Sequence, residues 1–280
     1  MTINSPDLSY GPRLVASPTA PLRAVLLVAP GRAIERAKPL PGEPNAIHSR
    51  AVSAQNILIK TLMQYGCNVT LLDAHTDDPY ASCVADNTIV FENGAVLLRP
   101  SSMLRRPETA WLEAEFEKRD FPIAGHLSAP GLLDGSDVLM AGSTAFIGRS
   151  SRSNALGRSG FAQIARAHGF NTIEVPLAQG VPNLRSVAGV LAADAIIAAS
   201  DRYLDRRAFS GFATYTTPPG DELGAGVLNL GERHVLADMR FPRANEVMRR
   251  AGMTVEAIDL HDFSRTGMTP SMLVADLKRS

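Results

Sequence analysis

The stretch Leu132–Asn154, LLDGSDVLMAGSTAFIGRSSRSN, decides the fold. Val138, Leu139 and Met140 precede an Ala-Gly-Ser-Thr turn at 141–144, and Ala145, Phe146 and Ile147 follow it. Short apolar runs split by a glycine-bearing turn predict a β-hairpin. Asp134 and Asp137 stand where the chain runs into the first strand, Arg149 and Arg152 where it leaves the second. Antiparallel pairing brings the two outer ends of a hairpin together. Acids and arginines are therefore expected to meet at one end of a sheet, beside a polar helix start at Asn154, as polar sites do on rigid scaffolds.

Working outward, the same pattern recurs. Thr88–Leu98 carries Asn93-Gly94 between apolar runs, a type I′ hairpin signal in which both central residues take positive φ. Val187–Ala199 turns around Ala193-Asp194, and Val227–Asp238 around Gly231-Glu232. Apolar spacing predicts helices over about 45–65, 107–118, 154–168 and 243–251. Single strands follow at CNVTLLD (67–73), near Phe121, at NTIEVPL (171–177) and at TVEAIDL (254–260). Hairpins that begin near 88, 137, 187 and 227 repeat about every 40–50 residues, which marks a repeated supersecondary unit. The opening strand (Arg23–Ala29), helix and strand, closed by the last strand, supply a fifth. The expected fold is α/β, with five pseudo-symmetric ββαβ units around an axis. A doubly wound sheet would alternate single strands, not pairs, with helices. Residues 1–22 read as an N-terminal arm, expected to be partly disordered, and 23–280 as one domain.

With 28 basic and 28 acidic residues the net charge is zero, so there is no electrostatic footprint for nucleic acid or an anionic membrane. The runs RRPE (105–108) and RRAG (249–252) read as solvated surface. No apolar run reaches the roughly 18 residues of a membrane span, and residues 1–23 have no apolar core of signal-peptide type. Cys67 and Cys83 form neither a disulfide framework nor a CxxC pair. The six histidines show no metal-binding spacing, and no glycine-rich phosphate loop is present. The expectation is a cytoplasmic protein with reduced thiols, no metal and no cofactor.

With those units placed, the sequence resembles the dimethylarginine dimethylaminohydrolase branch of the amidinotransferase (pentein) superfamily. The resemblance rests on Ser82–Asp86, Arg99-Pro100 to Arg105-Arg106, Leu133-Asp-Gly-Ser-Asp137-Val, Phe146–Asn154, Val175-Pro176 to Ser186, and Gly267-Met-Thr269. It implies a five-bladed α/β propeller with a central polar site, and chemistry at a guanidino C–N bond through a covalent cysteine intermediate. Position by position, it puts Asp134 where the family keeps the carboxylate that orients its histidine. Arg105 and Arg152 fall on the arginines that hold the substrate's α-carboxylate, and Asp86 on a substrate-side acid. The reacting positions differ. The family's Gly-x-x-His-Leu-Lys reads Gly180-Val-Pro-Asn183-Leu-Arg185, with asparagine for the general base. Its Gly-x-Thr-Cys reads Gly267-Met-Thr-Pro270, with proline for the nucleophile. The family's Ala-Asn-Cys reads Gly224-Ala-Gly226, and two further acidic positions fall on Ala85 and near Tyr80.

Each residue also has an ordinary reading. Arg105 and Arg152 suit inter-blade ion pairs as well as a carboxylate clamp. Asp134 and Asp137 suit backbone caps. Asn183 and Arg185 retain hydrogen-bonding capacity, and Ser271, beside Pro270, has no activating base. A free cysteine such as Cys83 is more often a small buried hydrophobe, and Cys67 reads as core. His234 reads as structural, while His126 and His261 flank site segments.

Three functions follow: an altered enzyme that binds a small carboxylate-bearing amino-acid or guanidino substrate and acts without the Cys/His pair, a catalytically silent ligand-binding pentein, and guanidino C–N hydrolysis with a substitute nucleophile such as Cys83. Asp134 is the expected catalytic group, and Arg105, Arg152, Asp86 and Asn183 the expected binding groups. A guanidinium facing Ala85 and Tyr80 would be an uncompensated charge, so a less basic far end of the substrate is expected. A homodimer is retained as a candidate assembly.

Overall fold

The computed structural model describes Tyr10, Gly11 and residues 13–280. The strands are β1 (Leu22–Val28), β2 (Asn68–Leu72), β3 (Thr88–Phe91), β4 (Gly94–Leu97), β5 (Ile123–His126), β6 (Val138–Ala141), β7 (Thr144–Arg149), β8 (Asn171–Pro176), β9 (Ala188–Ala192), β10 (Ala195–Ala198), β11 (Ala213–Thr216), β12 (Leu228–Gly231), β13 (His234–Asp238), β14 (Thr254–Ile258) and β15 (Ala275–Arg279). The longer helices are α1 (His48–Gln64), α2 (Pro107–Glu117), α3 (Ala155–Ala167) and α4 (Pro242–Arg250).

The strands form five three-stranded sheets, ordered β15-β1-β2, β3-β4-β5, β6-β7-β8, β9-β10-β11 and β12-β13-β14. In every sheet the central strand pairs antiparallel with the first and parallel with the third. The chain ends thus complete the fifth unit, as the repeat arithmetic predicts. Central strands covered on both faces must be apolar throughout. β10 (AIIA) and β4 (GAVL) are buried along their whole length. α3 begins where Asn154 Oδ1 accepts from Gly157 N at 2.7 Å, an N-cap bond.

Two turns differ from the sequence reading. In β3–β4, Phe91 pairs with Gly94, so Glu92-Asn93 form the turn and neither has positive φ. Gly94 is required by crowding instead, because a Cβ there would lie 2.8 Å from Pro122 O. In β12–β13 the central pair is Glu232-Arg233, both at positive φ (48° and 63°). That is the type I′ geometry that matches strand twist, one residue later than the sequence suggests. The disorder expected for residues 1–9 and Pro12 lies outside the described residues. Leu14, by contrast, is buried, and its carbonyl accepts from Arg279 N at 2.9 Å.

β3, β6, β9 and β12 follow single helical turns at Val84–Asp86, Gly135–Asp137, Leu184–Ser186 and Glu222–Ala225, and β15 follows the short helix Pro270–Leu273. The repeat therefore delivers one polar turn per unit toward a common centre. The packing there is close. A Cβ on Gly135 would stand 1.9 Å from Ala85 O, so only glycine fits.

Candidate functional site

The central hairpin's outer ends meet as expected. Leu133 bridges Ser153, and Asp134 N donates to Arg152 O at 3.3 Å. Arg152 Nη1 stands 3.5 Å from Asp134 Oδ2 and 3.8 Å from Asp86 Oδ2. The Arg152 guanidinium also lies over the Tyr80 ring, 5.6 Å from its centroid, within cation–π range. Arg149 does not join them. It is exposed and points to Glu174, 3.9 Å away.

The two arginines of the expected clamp occupy different environments. Arg105 is buried, its Nη1 2.6 Å from Asp86 Oδ2, its Nε 3.0 Å from Glu108 Oε2, and its Nη2 3.0 Å from Cys83 O. Asp86 and Glu108 hold its pKa above the usual arginine value despite burial. RRPE is therefore not solvated surface, because Arg105 and Glu108 are both 2% exposed. The one available signal was the i,i+3 spacing of Arg105 and Glu108 across a helix start, which closes an ion pair in a single turn. RRAG is exposed at Arg249 and Arg250, as read. The Arg152 side chain is 24% exposed, and its contacts to the acids are long.

The carboxylates divide in the same way. Asp86 is fully buried, and Oδ1 accepts from Ser136 N at 3.0 Å. Burial favours its neutral form, but Arg105 and then Arg152 outweigh this and hold its pKa below the usual carboxylate value. Asp134 accepts from Ser101 N at 2.7 Å. Burial and the nearby Asp86 charge push it up to about 6, against the opposing pull of the Ser101 N–H and Arg152. Asp137 accepts from Leu184 N at 3.0 Å and Ser150 Oγ at 2.5 Å, and burial pushes it up to about 7. Both acids thus cap backbone N–H groups, but in neighbouring units rather than in their own hairpin.

Asn183 is buried, with Oδ1 capping Ser186 N at 2.9 Å and Nδ2 4.0 Å from Met272 Sδ. It is tied to its own turn. Pro270 begins the helix before β15, and Ser271 Oγ donates to Gly226 O at 3.2 Å. Burial and then the Asp86 charge push the Cys83 thiol far up, and burial pushes Cys67 up to about 11. Neither thiol is set up as a thiolate nucleophile. His126 and His261 lie on the exposed surface beside Glu113 (2.9 Å) and Glu43 (3.5 Å). Among the described residues no helix is long and apolar enough to cross a membrane.

Five three-stranded sheets, each led into the centre by a short helical turn, define a pentein. The chain's relatives and structural neighbours support the dimethylarginine dimethylaminohydrolase/pentein amidinotransferase superfamily. No protein-family model matches the chain. It is similar to N(G),N(G)-dimethylarginine dimethylaminohydrolase of Pseudomonas aeruginosa, 27% identical over 225 residues that cover 80% of this chain and 86% of that one. The Streptomyces coelicolor enzyme of the same name is 28% identical over 218 residues, covering 78% and 82%. Among solved structures, a cysteine-to-serine variant of the Pseudomonas aeruginosa protein complexed with citrulline superposes with a TM-score of 0.81 at 23% identity, covering 91% of this chain and 98% of that one. The N-terminal domain of a cyanobacterial arginine dihydrolase, bound to substrate, gives 0.78 at 16% identity, covering 91% and 98%.

Proposed function

We propose that this chain is a divergent member of its superfamily that binds a small amino-acid-type ligand by its carboxylate at Arg152. It then acts on that ligand by proton transfer at Asp134, with neither thiol nor imidazole. The observation that carries the reading is the central pairing of a partly open guanidinium, Arg152, with a buried carboxyl, Asp134, 3.5 Å away. Arg105 is enclosed by Asp86, Glu108 and Cys83 O, so its role is to hold Asp86 and shape the wall. Arg152 makes only long contacts to acids, which leaves its planar fork for a ligand carboxylate. A carboxyl pushed up to about 6 suits proton transfer near neutrality. The likeness to a protein complexed with citrulline supports an amino-acid ligand. The resemblance puts no carboxylate at Ala85 or Tyr80, where the family has acids, so a neutral group is preferred to a guanidinium at the ligand's distal end.

A second reading, a silent ligand-binding pentein, is favoured by one observation. Asn183 is committed to capping Ser186 and makes no hydrogen bond to Asp134.

The test is incubation with arginine, N-methylated arginines and neutral amino-acid analogues, read by mass spectrometry and calorimetry on the parent, Arg152→Ala and Asp134→Asn. Binding should weaken at least about tenfold in Arg152→Ala, the loss expected for a charge-assisted bidentate contact. Asp134→Asn should keep binding and lose turnover. Binding without turnover in the parent supports the silent reading. Binding unchanged in Arg152→Ala refutes the site. Arginine bound as tightly as its neutral analogues refutes the neutral far end.

A further inference from the structure

The first strands of the units, β3, β6, β9 and β12, together with β15, line a partly open axial cavity of about 90 Å³. Its polar lining includes Thr88, Arg185, Asn229, Ser271, Asp276 and Arg279. Asp276 and Arg279 neutralise each other at 2.7 Å, and Arg279 gives its other donors to Ala20 O and Asn229 O at 2.8 and 2.7 Å. Arg185 has no such partner. Its Nε donates to Val138 O at 2.8 Å and its Nη1 to Ser271 O at 2.7 Å. Among the described residues, no carboxylate comes within ion-pair reach of it, and Nη2 makes no hydrogen bond. Burial lowers its pKa, and Asp276 and Asp86 act on it only from beyond contact. Arg185 is half-buried and has no counter-ion among the described residues, so a bound anion would offset its desolvation.

We propose that this cavity is a site for a small oxyanion held by Arg185. A guanidinium offers paired N–H donors matched to carboxylate or phosphate oxygens. A volume of about 90 Å³ has room for a small oxyanion. Val190 and Val227 form apolar walls beside it, which lower the local polarity and strengthen such a contact. The site involves neither Arg152 nor Asp134, so it stands or falls independently of the ligand reading above.

Thermal unfolding of the full chain in inorganic phosphate, against sodium chloride at matched ionic strength, tests it. A ligand that binds only the folded state raises Tm saturably. Phosphate should do so, and Arg185→Met should weaken the apparent affinity at least about tenfold. Ala85→Glu is the second variant. Ala85 lines the same cavity, so the new carboxylate neutralises Arg185 from within and should remove the phosphate response from a folded protein. A phosphate effect no larger than that of chloride overturns the proposal. So does a full response in Arg185→Met or in folded Ala85→Glu.

Discussion

Asp137 is enclosed where two units meet, with Leu184 N on one oxygen and the Ser150 hydroxyl on the other. Burial pushes its carboxyl up to about 7 from 3.8. A folded-state pKa above the unfolded value means the group supports the fold fully below about pH 4. That support is lost as pH rises toward 7, because only the unfolded chain then ionises freely. Between about pH 5 and pH 7 the loss accumulates over about two units at about 1.36 kcal/mol each, and it is constant above. Asp137→Asn keeps a carbonyl acceptor for Leu184 N and cannot ionise. Relative to the parent, it should therefore gain about 3 kcal/mol between pH 5 and pH 8. The assay is urea unfolding of both proteins at the two pH values, with stability taken from midpoint and slope. Other carboxylates titrate equally in both proteins and cancel. An equal difference between variant and parent at both pH values would refute the assignment of Asp137 as a buried acid neutral below pH 7.

Arg105→Met should destabilise the chain by about 3–5 kcal/mol, since it strands the buried charges of Asp86 and Glu108. A loss below about 1 kcal/mol in urea would mean that the pair is solvated. Native-state alkylation should leave Cys83 unmodified, because its thiol is buried and held protonated. Stoichiometric labelling of Cys83 by mass spectrometry, with loss of any turnover, would restore it as a nucleophile.

Much of the architecture was legible in the sequence because it depends on local periodicity. The apolar runs of β6 and β7, the glycine-bearing turn between them and the recurrence every 40–50 residues each report a backbone preference that acts over a few residues. The expectation that Asn183 and Pro270 stand at the positions of the family histidine and cysteine likewise rests on the sequence. Register at the hairpin tips was less legible. Asn93-Gly94 carried a turn signal that belonged instead to Glu92-Asn93, because Gly94 is set by the approach of Pro122 O, just before β5. The roles of the charged residues were legible only in part. Arg105 and Arg152 are the same residue type, yet one is enclosed by Asp86, Glu108 and Cys83 O while the other remains partly open. Asp134 and Asp137 find their backbone partners at Ser101 and Leu184, more than thirty residues away in the chain. Burial and charge are sums over everything packed nearby. Sequence determined which groups are present and which units repeat, and only closure of the five units decided which charges are neutralised and which remain available to a ligand.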